Sequence, residues 1–203
     1  RGVMPMMNSL SDLNLTNEVD LLKKHPDIHY LFLPFNTKKF QPKDGLNKKI
    51  LVTHAPTNRF YKGSDLIISV CRKLESEKLI EFDLIENVSH AEALERKAKS
   101  DIYIDQMGDK GGWGYGMNSV ESLSMGICTL TEMNESYRSF IPDHPFMPVN
   151  GEIFEETLTQ LTENRTGIFD RGKHAKAWVE KYHDITKVSK KLYDYYRSIG
   201  LPV

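Results

Sequence analysis

The sequence predicts an α/β domain: a parallel sheet with helices on both faces, closed by a run of helices at the C-terminus. Three observations predict it. Between residues 50 and 131, four short apolar runs alternate with helical patterns. Those runs, 50–54 (ILVTH), 82–85 (FDLI), 101–105 (DIYID) and 127–131 (ICTLT), suit strands covered on both faces. Strands separated by helices are joined by crossovers, and that makes the sheet parallel. The third observation is length: 203 residues give one domain, or one domain with part of another, and a sizeable core.

Residues 1–45 read as an N-terminal segment or interdomain linker, and 46–203 as the domain proper. Residues 8–15 are polar with scattered leucines. Thr16 is placed to cap a short helix over 17–24 that ends before Pro26. The run 29–35 (HYLFLPF) is strand-like, and Pro34 assigns it to an edge or a connection. Residues 36–49 are polar, contain Pro42 and Gly45, and look like a linker.

A helix is expected over 63–78, with Leu66, Ile67, Val70 and Leu74 on one face. A second is expected over 89–99, with Ser89 as cap and Glu92 at the capping-box position. A third covers 117–125. Residues 132–150 look irregular, holding Pro142, Pro145 and Pro148, with a strand proposed at 146–149. Three helices follow, over 152–162, 170–181 and 186–198. The last carries Lys190, Lys191, Tyr193, Tyr195, Tyr196 and Arg197. It reads as a packed amphipathic helix with a solvated basic face, with a membrane-surface or nucleic-acid role as the secondary reading.

Composition narrows the function classes. Lys+Arg is 27 and Asp+Glu 28, a formal net charge of -1, so bulk electrostatics give no reason to expect nucleic acid as a partner. No apolar run approaches the roughly 18–20 residues that span a bilayer, so no integral membrane segment is expected. The two cysteines, Cys71 and Cys128, lie in apolar patterns and read as reduced, buried thiols. A cytosolic setting follows, with peripheral attachment to a membrane as a secondary expectation. There is no His-Glu-x-x-His and no Cys-x-x-Cys, so no metal site is expected. His54 reads as a structural histidine; His90, His174 and His183 read as surface or packing residues.

The chemistry concentrates in the loops that leave the carboxyl ends of the strands, where ligands collect in parallel sheets. The loop after 50–54 carries Arg59 and Lys62 just before a helix. Arg grips phosphate with two N–H groups, and Lys adds a point charge. The loop after 101–105 is the glycine-rich stretch 108–126 (GDKGGWGYGMNSVESLSMG), which runs into a helix. Glycines allow close backbone approach, and the first-turn N–H groups of a helix point at an anion. Glu121, a turn into that helix, can accept from neutral hydroxyls beside the anion. A phosphate next to a diol describes a nucleotide. Glu86, at the end of 82–85, faces the same sheet edge, close to where a base or ribose would lie.

Three segments carry a family resemblance: THAPTNRFYKGSD, ENVSHAEALERKAKSDIYIDQ and GYGMNSVESLSMGICTLT. In order and spacing they resemble the C-terminal donor-binding domain of GT-B fold glycosyltransferases of the retaining family-4 type. The resemblance covers about residues 46–200. It implies a Rossmann-like domain forming one half of a GT-B fold. It further implies that Arg59 and Lys62 bind the donor diphosphate and steady its charge as it leaves, that Glu121 accepts from the ribose hydroxyls, and that the backbone at Gly116, Met117, Asn118 and Ser119 holds the distal phosphate. Arg59, Lys62 and Glu121 would be the catalytic set. The family's acidic pair has a Glu eight residues before the second one; here Trp113 stands there. Trp113 either stacks on a sugar face or packs against the sheet edge.

The functional expectation is a metal-independent donor-binding domain without a prosthetic group. It would move a hexose-type sugar from a nucleotide-diphosphate sugar, UDP ahead of GDP, to a glycan, lipid or other acceptor. The acceptor would be bound through an N-terminal domain absent from this chain, so the chain alone would be inactive. Two alternatives stand beside it. One is a non-catalytic nucleotide-binding or interaction module of the same fold, which Trp113 favours. The other is a nucleotide-sugar epimerase.

Overall fold

The structure, a computed structural model, describes residues 10–24, 26–108, 110, 114–147 and 149–203. Trp113 lies outside the described residues.

Two short parallel strands open the described chain: β1 (Asn14–Thr16) and β2 (Ile28–Tyr30), with helix α1 (Val19–Leu22) between them. Strand β1 and its pairing are absent from the sequence expectations, because three residues of mixed polarity carry no periodicity. The expected run 29–35 shortens to β2; further on, Phe35 makes one isolated parallel bridge to Asp184. Residues of this segment are tied to the C-terminal half. Tyr137 Oη accepts from the Val19 N–H at 3.2 Å and donates to Glu18 Oε2 at 2.7 Å.

The central sheet then forms from β3 (Leu51–His54), β4 (Glu81–Leu84), β5 (Ile102–Ile104) and β6 (Cys128–Leu130). Its order is β4-β3-β5-β6 and all pairs are parallel. The inner strand β5 (IYI) is wholly buried, as a strand covered on both faces must be. Against one face lies α3 (Ser64–Ser76), which buries Ile67, Val70, Cys71 and Leu74 against Val52, Ile102 and Phe154. Against the other, Leu94 of α4 (His90–Lys97) packs with Tyr103 and Ile127, while α5 (Met117–Ser124) buries Val120 and Leu123 in a cluster with Trp178 and Val179. These four strands and three helices fall where the sequence expects them, to within the usual fraying of ends.

Between β3 and α3, the loop makes one extra turn, α2 (Arg59–Lys62), capped by Asn58, whose side chain accepts from the Tyr61 N–H. Gly63 ends α2 and starts α3 at φ 60. A Cβ there would stand 1.8 Å from the Met107 carbonyl oxygen, so only glycine fits.

Past the sheet, α6 (Glu135–Phe140) occupies part of the stretch expected to be irregular; Asn134 caps it by accepting from the Tyr137 N–H. The expected strand at 146–149 reduces to a bridge between Leu130 and Met147. The chain ends in α7 (Phe154–Glu163), α8 (Arg165–Tyr182) and α9 (Ile185–Ser198). Helix α8 begins earlier than expected because Asn164 caps it, accepting from Gly167 N–H. Among the described residues, no helix is long and apolar enough to cross a membrane. Cys71 and Cys128 are buried and unbridged.

Candidate functional site

The carboxyl ends of β3 and β5, together with the N-termini of α2 and α5, surround a cleft of about 890 Å³. Lys62, His90, Gln106, Lys110, Asn118 and Glu121 are among its lining residues. A neighbouring hollow of about 730 Å³ is lined by Arg59, Glu86, Asn87 and Val88 and shares His90 and Asn118 with the cleft. The two cationic side chains of the first loop and the glutamate of the second are therefore brought to one edge of the sheet, as the sequence argument requires.

Each of these charges has a partner. Arg59 grips Glu86 with two N–H groups, Nε to Oε1 at 2.7 Å and Nη2 to Oε2. The Arg59 hydrogen bonds hold the Glu86 carboxyl below its usual range. Lys62 donates to Asp105 Oδ1 at 2.6 Å and to Gln106 Oε1 at 3.3 Å. Asp105 is buried, which raises its carboxyl, but Lys62, the Ser119 hydroxyl 2.6 Å from Oδ2, and Lys97 together outweigh burial; the net shift is downward. Asp105, just past the carboxyl end of β5, thus ties Lys62 to the first turn of α5.

Glu121 is buried, with both oxygens engaged. Lys97 Nζ donates to Oε2 at 2.6 Å and His90 Nε2 to Oε1 at 2.8 Å. Neither partner was legible as a site residue. His90 is largely exposed, as a surface histidine would be, yet it reaches into the cleft. Lys97 is 1% exposed. The signal that could have found them is their spacing: seven residues, two turns, put both on one face of α4. Lys110 also lines the cleft, and its ammonium lies 4.5 Å from the centre of the Phe60 ring.

Helix α5 starts at Gly116, which offers no side-chain cap to the N–H groups of the first turn. The Gly116 N–H itself points at Asp105 Oδ2, 3.4 Å away. Asn118 donates through Nδ2 to the Ala55 carbonyl at 3.2 Å, joining the two loops. Beneath the cleft, His54 is buried with both ring nitrogens used: Nδ1 donates to the Ile104 carbonyl and Nε2 accepts from Ser64 Oγ, both at 2.8 Å. Burial pushes its pKa down to about 4. Asp101 lies at the opposite end of β5, accepting from the Asn47 and Leu51 N–H groups. Among the described residues, no group of three or more His, Cys, Asp or Glu is gathered to hold a metal ion.

Neither a protein-family model nor a curated protein matches the chain. Solved structures do. The chain is similar to Anabaena HepE in complex with UDP-glucose, with a TM-score of 0.69 and 10% identity, over 93% of this chain and 64% of that one. It is similar to a glycosyltransferase from Rickettsia africae, with a TM-score of 0.68 and 12% identity, over 93% of this chain and 64% of that one. It is also similar to sucrose-phosphate synthase from Thermosynechococcus elongatus, with a TM-score of 0.68 and 11% identity, over 92% of this chain and 57% of that one. The fold is thus that of one half of a GT-B glycosyltransferase. The chain spans just under two-thirds of the length of HepE.

Proposed function

We propose that this chain is the nucleotide-sugar-binding domain of a glycosyltransferase, taking a UDP-sugar ahead of a GDP-sugar. The observation that carries the reading is the convergence of Lys62, the N-terminus of α5 and Glu121 on one cleft of a GT-B fold. That HepE binds UDP-glucose in a similar fold supports UDP as the nucleotide.

In this reading the diphosphate lies between Lys62, Arg59 and the first turn of α5 at Met117, Asn118 and Ser119, beyond Gly116. Glu121 accepts from the ribose hydroxyls, and Glu86 stands toward the nucleoside side. Transfer breaks the bond between the anomeric carbon and the diphosphate oxygen. A hydroxyl oxygen of the acceptor bonds to that carbon and gives up its proton. Negative charge grows on the departing nucleoside diphosphate. Fixed cations and the positive end of a helix stabilise it there without reorganising. The reaction is proposed to need no metal and to retain the anomeric configuration. The acceptor, a glycan or lipid, would be held by the other half of the enzyme, so the chain alone would bind donor without turnover. The proposed setting is cytosolic, with attachment at a membrane surface allowed.

A second reading, a non-catalytic nucleotide-binding or interaction module, has one observation in its favour. Arg59 and Lys62 are each already paired with an acid, Glu86 and Asp105, so a diphosphate must compete for them. Calorimetric titration with UDP, GDP and ADP, repeated on an Arg59→Ala, Lys62→Ala double variant, tests the binding reading. Binding of one nucleotide, lost in the variant, supports a donor site. No binding of any at millimolar concentration contradicts it. Sugar transfer by the full-length protein separates enzyme from module.

A further inference from the structure

Resting on the donor-site reading, we propose that Lys97 is a positioning residue. It fixes the Glu121 carboxylate toward the cleft and thereby sets the preference for a nucleotide with intact ribose hydroxyls.

The Lys97 ammonium has three N–H donors and three acceptors within reach: Glu121 Oε2 at 2.6 Å, Asn118 Oδ1 at 3.0 Å and the Asn118 carbonyl at 3.5 Å. Below it lies the Tyr103 ring, with 4.7 Å between Nζ and the ring centre. With 1% of its surface exposed, it offers nothing to a ligand directly. Burial pushes its pKa down and the Glu121 carboxylate pulls it back. A buried ion pair is costly, and apolar side chains in place of both Lys97 and Glu121 would fill this space at no greater cost. What the ammonium provides is a fixed direction for Glu121. By taking Oε2, it leaves Oε1 as the oxygen shared with His90, whose side chain is 71% exposed and can be displaced by a ligand. Asn118, held by the same ammonium, extends the brace to the Ala55 carbonyl at the end of β3.

The test compares binding of UDP and 2′-deoxy-UDP to the chain, its Lys97→Met and Lys97→Arg variants, Glu121→Gln and Arg59→Ala. The expected wild-type preference for UDP is roughly tenfold or more, the range of a hydrogen bond to a charged group. Lys97→Met and Glu121→Gln are expected to bring the ratio near one. Lys97→Arg, which keeps the charge, is expected to restore much of it. Arg59→Ala should weaken both nucleotides alike and leave the ratio unchanged. A thermal melt confirms that each variant tested is folded; if Lys97→Met is not, Lys97→Gln takes its place with the same expectation. If UDP binds, Glu121→Gln erases the preference and Lys97→Met keeps it, this proposal is overturned and the donor site stands. No preference in the wild-type chain overturns the proposal as well. Failure of UDP to bind the wild-type chain instead overturns the donor-site reading itself.

Discussion

Lys97 and Glu121 form an ion pair of 2.6 Å that is almost closed to solvent, with side chains 1% and 5% exposed. Such a pair is asymmetric in its energetics: removing one partner strands the other, whereas removing both does not. Lys97→Met is therefore expected to cost about 3–5 kcal/mol of unfolding free energy. The double variant Lys97→Met, Glu121→Leu should recover most of that. Denaturant titration of the set gives the coupling. Additive single losses would show that the two residues do not act together.

Gly63 is expected to be irreplaceable. At φ 60, with the Met107 oxygen 1.8 Å from the position of a Cβ, Gly63→Ala combines a left-handed backbone with a clash against main chain. A loss of about 1–3 kcal/mol or more is expected. Gly116→Ala meets nothing within 4 Å and should cost about 1 kcal/mol or less. Equal melting temperatures for the two variants would contradict this.

Acid should destabilise the fold in a defined window. His54 and His183 are both buried, and burial pushes each down to about 4. His183 donates from Nδ1 to the Leu33 carbonyl and accepts from Tyr115 Oη at Nε2. The unfolded chain takes up these protons near pH 6.5 and the native chain does not until about pH 4, so stability falls as pH falls between those values. Each histidine accounts for at most about 1.4 kcal/mol per pH unit. The depressed Asp105 carboxyl adds a further loss at lower pH. Denaturant titrations from pH 7.5 to 4.5 check the slope, and a flat profile would contradict it.

Cys71 and Cys128 should resist thiol reagents in the native protein. Burial pushes the Cys128 thiol up to about 12 and Cys71 well above its usual range. Thiolate is the reactive form. Labelling is expected only at the rate of unfolding, for both residues. Rapid native labelling of either would contradict their burial.

Much of this was legible in the sequence. The four sheet strands announced themselves as short apolar runs, and Ser89 marked the start of α4 by accepting from the Glu92 N–H. That Lys62 and Glu121 meet at one cleft, with Arg59 in the adjoining hollow, followed from the rule that loops at strand carboxyl ends meet. The order β4-β3-β5-β6 did not follow, since local patterns carry no information on which strands become neighbours. Nor did the charge partners. Arg59 and Glu86 lie 27 positions apart, and Lys97 and Glu121 lie 24 apart. Such pairings exist only once helices and loops are stacked on the sheet. A lysine in a helix full of charges gives no sign that it is buried. Strand β1 and helix α6 were missed because three and six residues are too few for a period to show.

The most direct test of the central claim is a crystal structure of the chain with UDP. The diphosphate is expected within hydrogen-bond distance of Lys62 Nζ and the first-turn N–H groups of α5, with a ribose hydroxyl on Glu121 Oε1 in place of His90. UDP bound away from this cleft, or a cleft left unchanged in crystals grown at saturating UDP, would contradict it.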